Sequence, residues 1–187
     1  RTSHGLILAE GGEKMSKSKG NVINPDSIVE QFGADTLRLY EMFMGPFEQA
    51  IAWSEEALVG PRRFLERVWS MWFYLVRDIH TEAIFNAEIE NLRHKTIKKI
   101  SEDIENLAFN TAVSQLMIYA RALDNQPGAI SKKDFETLIL LLAPFAPHIT
   151  EELWRKLGHK NSIHQEPWPE YDETKLVSET VTIVVQV

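Results

Sequence analysis

The 187-residue sequence has no cysteine, which excludes disulfides and thiolate metal ligands and fits a reducing compartment. No uninterrupted apolar run approaches the roughly 20 residues that a membrane-spanning helix requires, and no apolar signal core follows Arg1. A soluble, cytoplasmic protein with no membrane contact is therefore expected. The histidines are scattered: His94, His148, His159 and His164 form no HExxH or carboxylate pattern, and no metal site is expected from them. Positive charge is also scarce, with 20 Lys and Arg against 27 Asp and Glu, a net charge of −7. That balance argues against broad nonspecific binding to nucleic acid and leaves any RNA contact to local patches. There is no internal repeat and no low-complexity tract.

What is present is mostly helical patterning. Asn24-Pro25-Asp26 combines a capping side chain, a proline suited to the first turn and an acid near the positive end of the helix dipole, and Gly33 ends that helix. A second helix runs from Ala34 to Met44 and closes at Gly45-Pro46. Ser54-Glu55-Glu56 opens a long helix whose stripe includes Leu58, Leu65, Val68, Trp69, Trp72, Phe73, Val76 and Ile79, with Gly60-Pro61 bending its first turns or resetting its start. Trp69 and Trp72 lie on that stripe and are read as core rather than as stacking platforms.

Asn86 to Leu107 carries Ile89, Leu92, Ile97, Ile100 and Ile104 on one face, and Phe109 to Leu123 repeats the pattern. After a turn at Asp124 to Gly128, Ser131 caps a helix to about Leu142 that is apolar almost all round, as a central helix would be. Pro144 and Pro147 interrupt it, and a last helix runs from Pro147 through Leu157 to Gly158. The ends are different: Leu6-Ile7-Leu8 before Glu10-Gly11-Gly12 suits a strand and turn, Pro167-Trp168-Pro169 a linker or surface-hugging segment, and Thr180 to Val187 a strand. A lone strand is not stable, so a further β-containing domain is expected after it, and missing sequence is expected before Arg1. The fold class expected is mainly α, a helical bundle with short β segments at both ends.

Chemistry concentrates in Glu13-Lys14-Met15-Ser16-Lys17-Ser18-Lys19-Gly20-Asn21. Lys14, Lys17 and Lys19 are ammonium charges on flexible stems that can fold around an oligophosphate, and Ser16 and Ser18 offer hydroxyls. Flanking glycines let such a loop move. By charge alone, the same residues also fit a solvated basic loop. Two further cationic groups, Arg62, Arg63 and Arg67, and Arg93, His94, Lys95, Lys98 and Lys99, can meet RNA phosphate or face water.

The order of residues then adds a resemblance. Lys14-Met15-Ser16-Lys17-Ser18 is similar, residue for residue, to the KMSKS signature of class I aminoacyl-tRNA synthetases, and Lys19-Gly20-Asn21-Val22 with Asn24-Pro25-Asp26 continues it. Gly33-Ala34-Asp35-Thr36-Leu37-Arg38 resembles a segment of the leucine, isoleucine and valine enzymes. Met42 to Pro46, Trp53-Ser54, Arg63 to Leu65 with Arg67 to Trp69, His94 to Ile97, Phe109 to Ala112, Leu142 to His148 and Val181 to Val187 resemble the bacterial leucyl-tRNA synthetases in particular.

This resemblance implies a fragment: residues 1–33 as the end of a catalytic domain with its mobile loop, 34–165 as a helical domain of the anticodon-binding type, and 166–187 as a linker and first strand of a C-terminal domain. It implies that Lys17 first and Lys14 second are catalytic, contacting the phosphates of ATP with help from Ser16 and Ser18. It implies ATP, with Mg2+ accompanying it, leucine and tRNA(Leu) as partners of a monomeric leucine–tRNA ligase. From charge clustering, and not from the resemblance, Arg62, Arg63, Arg67, Arg93, Lys95, Lys98 and Lys99 stand as the candidate tRNA contacts. The family's HIGH signature is absent, since Ser3-His4-Gly5 does not match it, and the Rossmann fold, leucine pocket and editing domain are missing. The fragment alone is therefore expected to be inactive. A free-standing helical tRNA-binding module and a helical protein-interaction domain are the two rival expectations.

Overall fold

The structure, a computed structural model, describes residues 4–77, 85–126 and 130–176. In chain order its elements are β1 (Ile7–Leu8), α1 (Pro25–Phe32), α2 (Ala34–Phe43), β2 (Ile51–Ala52), α3 (Val59–Arg77), α4 (Ala87–Glu105), α5 (Phe109–Asn125), α6 (Lys132–Leu142) and α7 (Pro147–Lys156). The mainly helical fold expected from patterning is the fold observed. Three side-chain caps set helix starts: Asn24 accepts from the Asp26 amide at 3.1 Å, Asn86 from Glu88 and Ile89 at 3.0 and 3.3 Å, and Ser131 from Asp134 at 3.0 Å. Each satisfies a donor that the helix cannot, which is worth about 1 kcal/mol. A short 3-10 turn, Glu56–Leu58, precedes α3, so Gly60-Pro61 falls in the first turn of that helix, where the missing proline amide costs nothing.

The sequence reading places no strand at Ile51–Ala52. There β2 pairs in parallel with β1, Ile7 opposite Ile51 and Leu8 opposite Ala52. The pattern along α3 also differs in part from expectation. Phe64, Leu65, Val68 and Met71 are buried, but Phe73 and Val76 are 54% and 45% exposed. The buried row steps by three and four residues along the helix; Phe73 points to the side opposite Phe64, and Val76 lies in the last turn of the helix. Trp69 and Trp72 are half-buried and pack against the core, with the Lys156 ammonium over both rings. Ile79 and the segment Thr180 to Val187 lie outside the described residues.

Two apolar clusters form. The larger is built mostly by α3 to α7, with α6 central: Phe135, Leu138, Ile139, Leu141 and Leu142 are all fully buried. The smaller contains Ile28, Leu37, Tyr40, Trp53 and Leu58, with Met15, Ile23, Phe32 and Met44 against it. Helix α2 belongs to both, since Leu37 and Tyr40 enter the small cluster and Leu39 the large one. The segment after α7 returns along α4. Trp168 Nε1 donates to Ser101 Oγ at 2.8 Å, the Asp172 amide to His94 Nδ1 at 3.0 Å, and Asn91 to the Lys175 carbonyl at 2.6 Å. Pro167-Trp168-Pro169 is thus part of a surface-hugging strap. Burial, reinforced by the Arg93 charge, holds the His94 pKa below its ordinary value and favours the neutral ring that accepts the Asp172 amide.

Candidate functional site

The lysine-rich loop is closed by the side chain of Asn21. Ser16 donates its amide to Asn21 Oδ1 at 2.8 Å, and Asn21 Nδ2 reaches back to the Lys14 carbonyl at 3.4 Å. Between them Lys17–Lys19 makes a single 3-10 turn that ends at Gly20, whose φ of 66° is a left-handed conformation suited to glycine. Met15 packs on the small apolar cluster, so the loop has one apolar anchor in an otherwise exposed run. Sequence reasoning assigned no role to Met15, Glu13 or Asn21, although Asn21 stands inside the motif it singled out.

The three loop lysines are not equivalent. Lys19 Nζ lies 2.7 Å from Glu13 Oε2. Lys14 and Lys17 are exposed and have no side-chain partner among the described residues. Ser16 and Ser18 bring their hydroxyls to 3.3 Å of each other. The arrangement holds two uncompensated cations and two hydroxyls on a turn pinned at Met15 and Asn21, which suits an incoming polyanion.

The other cations separate by environment. Arg62 is exposed but donates to Glu66 at 2.8 Å and to the Phe32 carbonyl at 3.1 Å, and Arg67 lies 3.8 Å from Asp124. Arg63 is exposed with no side-chain partner among the described residues. Arg93 does not join the exposed face expected for it. It is 6% exposed, with its guanidinium 2.5 Å from Asp134 and 3.5 Å from Glu90. Asp134 also accepts from Tyr119 at 3.2 Å and bonds the Ser131 hydroxyl, so Arg93 is the charge-balancing member of a buried network. Burial and the Asp134 charge push the Tyr119 phenol far above its ordinary pKa, keeping it a donor.

On α4, Lys99 pairs with Asp103, which also accepts from Thr111 at 2.8 Å, and Lys98 lies 3.9 Å from Glu102. Lys95 is exposed with no side-chain partner among the described residues. Lys95, Lys98 and Lys99 line an open pocket of about 490 Å³ together with Leu92, Gln115 and Ile118. Among the described residues no group of three His, Asp or Glu side chains is placed to hold a metal, and no helix is long and apolar enough to cross a membrane.

Comparison with known proteins gives this geometry a context. Residues 86–187 match the family described as the anticodon-binding domain of tRNA ligase, and residues 2–54 match the class I tRNA synthetases of the I, L, M and V group. Among solved structures, the leucyl-tRNA synthetase of Agrobacterium radiobacter K84, in a ternary complex with tRNA and LeuAMS, aligns with a TM-score of 0.85 and 32% identity over 94% of this chain. The present chain spans 25% of that protein's length. Two structures of Mycobacterium tuberculosis methionyl-tRNA synthetase with methionyl-adenylate align with TM-scores of 0.66 and 0.65 at 18% and 17% identity, each over 84% of this chain and 38% of theirs. At those identities the methionyl enzymes share the fold.

Proposed function

Because the chain belongs to the class I tRNA synthetases, we propose that it is the loop-bearing and helical part of a leucine–tRNA ligase, whose whole activates leucine with ATP and transfers it to tRNA(Leu). The observation that carries this reading is the state of the loop cations: Lys14 and Lys17 stand unpaired on a turn anchored by Met15, and Lys19 is tied to Glu13. When a leucine carboxylate attacks the α-phosphate of ATP, negative charge collects on the departing pyrophosphate. A free ammonium that meets it there stabilises the transition state more than the ground state. Lys17 is assigned the principal contact, Lys14 the second, and Ser16 and Ser18 donate hydroxyls to phosphate oxygens. Mg2+ is read as arriving with the phosphates of ATP; among the described residues no group of three or more His, Asp or Glu side chains is placed to hold a metal. Leucine is favoured by the 32% identity to the leucyl enzyme against 18% to a methionyl one. The whole enzyme is read as monomeric and cytoplasmic, with Arg63 and Lys95 as the cations freest to meet tRNA.

In the full-length protein, Lys17→Ala should lower kcat for leucine-dependent pyrophosphate–ATP exchange by roughly 10²-fold, the scale of losing one preorganised charge-stabilising donor, with leucine KM nearly unchanged. Lys17→Arg should rescue only partly, because a planar fork does not reproduce a compact ammonium. Exchange unaffected by Lys17→Ala but abolished by Lys19→Ala would refute the assignment.

A further inference from the structure

The loop does not stand on the large helical core. It stands on the small cluster through Met15, and that cluster meets the bundle through α2, whose Leu37 and Tyr40 face one core and Leu39 the other, and through Leu58 just before α3, where Arg62 also bonds the Phe32 carbonyl at 3.1 Å. Tyr40 fixes the same cluster at its far side, accepting the Ser54 amide at 2.9 Å and meeting Trp53 edge-on at 5.0 Å. The orientation of α2 is therefore one determinant of where the loop is mounted. Two charged side chains of α2 fasten it to the start of α7, more than 100 residues away in sequence.

Asp35, 8% exposed, accepts the backbone amides of His148 at 3.3 Å and Ile149 at 2.7 Å, and its Oδ1 lies 2.7 Å from His148 Nδ1. It therefore caps α7 from outside that helix, where Ala146 supplies no side-chain cap. Arg38 donates Nε to the Phe145 carbonyl at 3.3 Å and an Nη2 hydrogen to the Pro144 carbonyl at 2.9 Å. A guanidinium suits this task because it presents several donors in one rigid plane. The clasp joins two segments that the sequence singles out separately, Gly33 to Arg38 and Leu142 to His148. Neither residue lies in the lysine loop or among its bonding partners.

We propose that Arg38 and Asp35 are positioning residues for adenylate formation. Their clasp on the start of α7 holds α2, and through α2 and Met15 the mount of Lys14 and Lys17, in register with the rest of the enzyme. The inference rests on the ligase reading above. Its physical basis is that a displacement of about 1 Å at a reacting centre is enough to cost up to 10²-fold in rate.

The test uses the full-length enzyme and tRNA-free, leucine-dependent pyrophosphate–ATP exchange, each variant assayed well below its own thermal midpoint. Arg38→Ala should lower kcat about tenfold while changing leucine KM less than about twofold, and Arg38→Lys, able to meet one carbonyl, should fall between. Tyr119→Phe, which removes a buried hydrogen bond to Asp134 within the bundle, serves as the control and should leave kcat within about twofold. Wild-type kcat in Arg38→Ala, or equal losses in Arg38→Ala and Tyr119→Phe, would overturn the assignment by making the clasp merely structural. If Arg38→Ala does not fold, Arg38→Lys carries the test, and wild-type kcat there overturns it. Parent enzyme and Lys17→Ala in the same assay separate the ideas: no leucine-dependent exchange in the parent removes the ligase reading, a silent Lys17 removes the loop assignment, and an essential Lys17 beside a silent Arg38 removes only the clasp.

Discussion

The loop around Lys17 and the network around Arg93 carry the same kind of charge in opposite circumstances. Arg93 is almost wholly enclosed and meets Asp134 at 2.5 Å and Glu90 at 3.5 Å. Lys14 and Lys17 are exposed and meet no side chain among the described residues. A buried cation survives only when its charge is balanced, so its interactions are already spent on the fold. An exposed cation without a partner has its interaction free energy available for an incoming anion. The distinction is one of environment, and residue type alone does not reveal it.

The sharpest way to break this contrast is to remove the buried member. Arg93→Ala leaves Asp134 enclosed without its cation and should cost about 3–5 kcal/mol in chemical denaturation. A loss below about 1 kcal/mol would mean that Asp134 is balanced by something else. A smaller effect is expected at the start of the same helix, where Asn86→Ala removes the acceptor for two amides and should cost about 1 kcal/mol. Asn86→Asp, which keeps the acceptor, should retain most of that stability.

Glu151 offers a prediction that depends on pH. It accepts the Ser162 hydroxyl at 2.8 Å and the Ile163 amide at 3.0 Å, and pairs with Arg155. The Ser162 bond first, then the Ile163 amide and Arg155, hold its pKa below the ordinary 4.5. Because the folded value is depressed, the stabilisation is fully present above the unfolded value and is lost as pH falls through the folded one. The gap in stability between the parent and Glu151→Gln should therefore be constant from neutral pH to about 5 and close on further acidification. A gap that widens in acid would show the sign to be wrong. The smallest effect belongs to Lys19→Ala, whose exposed pair with Glu13 should contribute under about 1 kcal/mol to stability.

Much of the fold was legible because its signals are local. Asn24, Asn86 and Ser131 announce helix starts within two or three residues of the amides they cap, and the apolar run of α6 marks it as central. The strand at Ile51–Ala52 was not legible, since two residues carry no alternation and its partner lies 44 positions earlier at Ile7 and Leu8. Arg93 was grouped with neighbouring lysines because sequence shows the cluster of charge but not Asp134 coming from another helix to balance it. The bonds from Asp35 and Arg38 to the start of α7 are equally invisible along the chain. The motif around Lys17 was readable, but the difference between Lys17 and Lys19 needed the position of Glu13.

That difference is the most direct point of attack. Full-length enzyme should be treated briefly with an amine-acylating reagent, with and without ATP, and the extent of modification at each loop lysine read by mass spectrometry. Lys14 and Lys17 should react faster than Lys19 and be strongly protected by ATP, while Lys19 is little changed by the nucleotide. Protection confined to Lys19, with Lys14 and Lys17 reacting equally in both conditions, would contradict the claim that the unpaired lysines are the ones that meet phosphate.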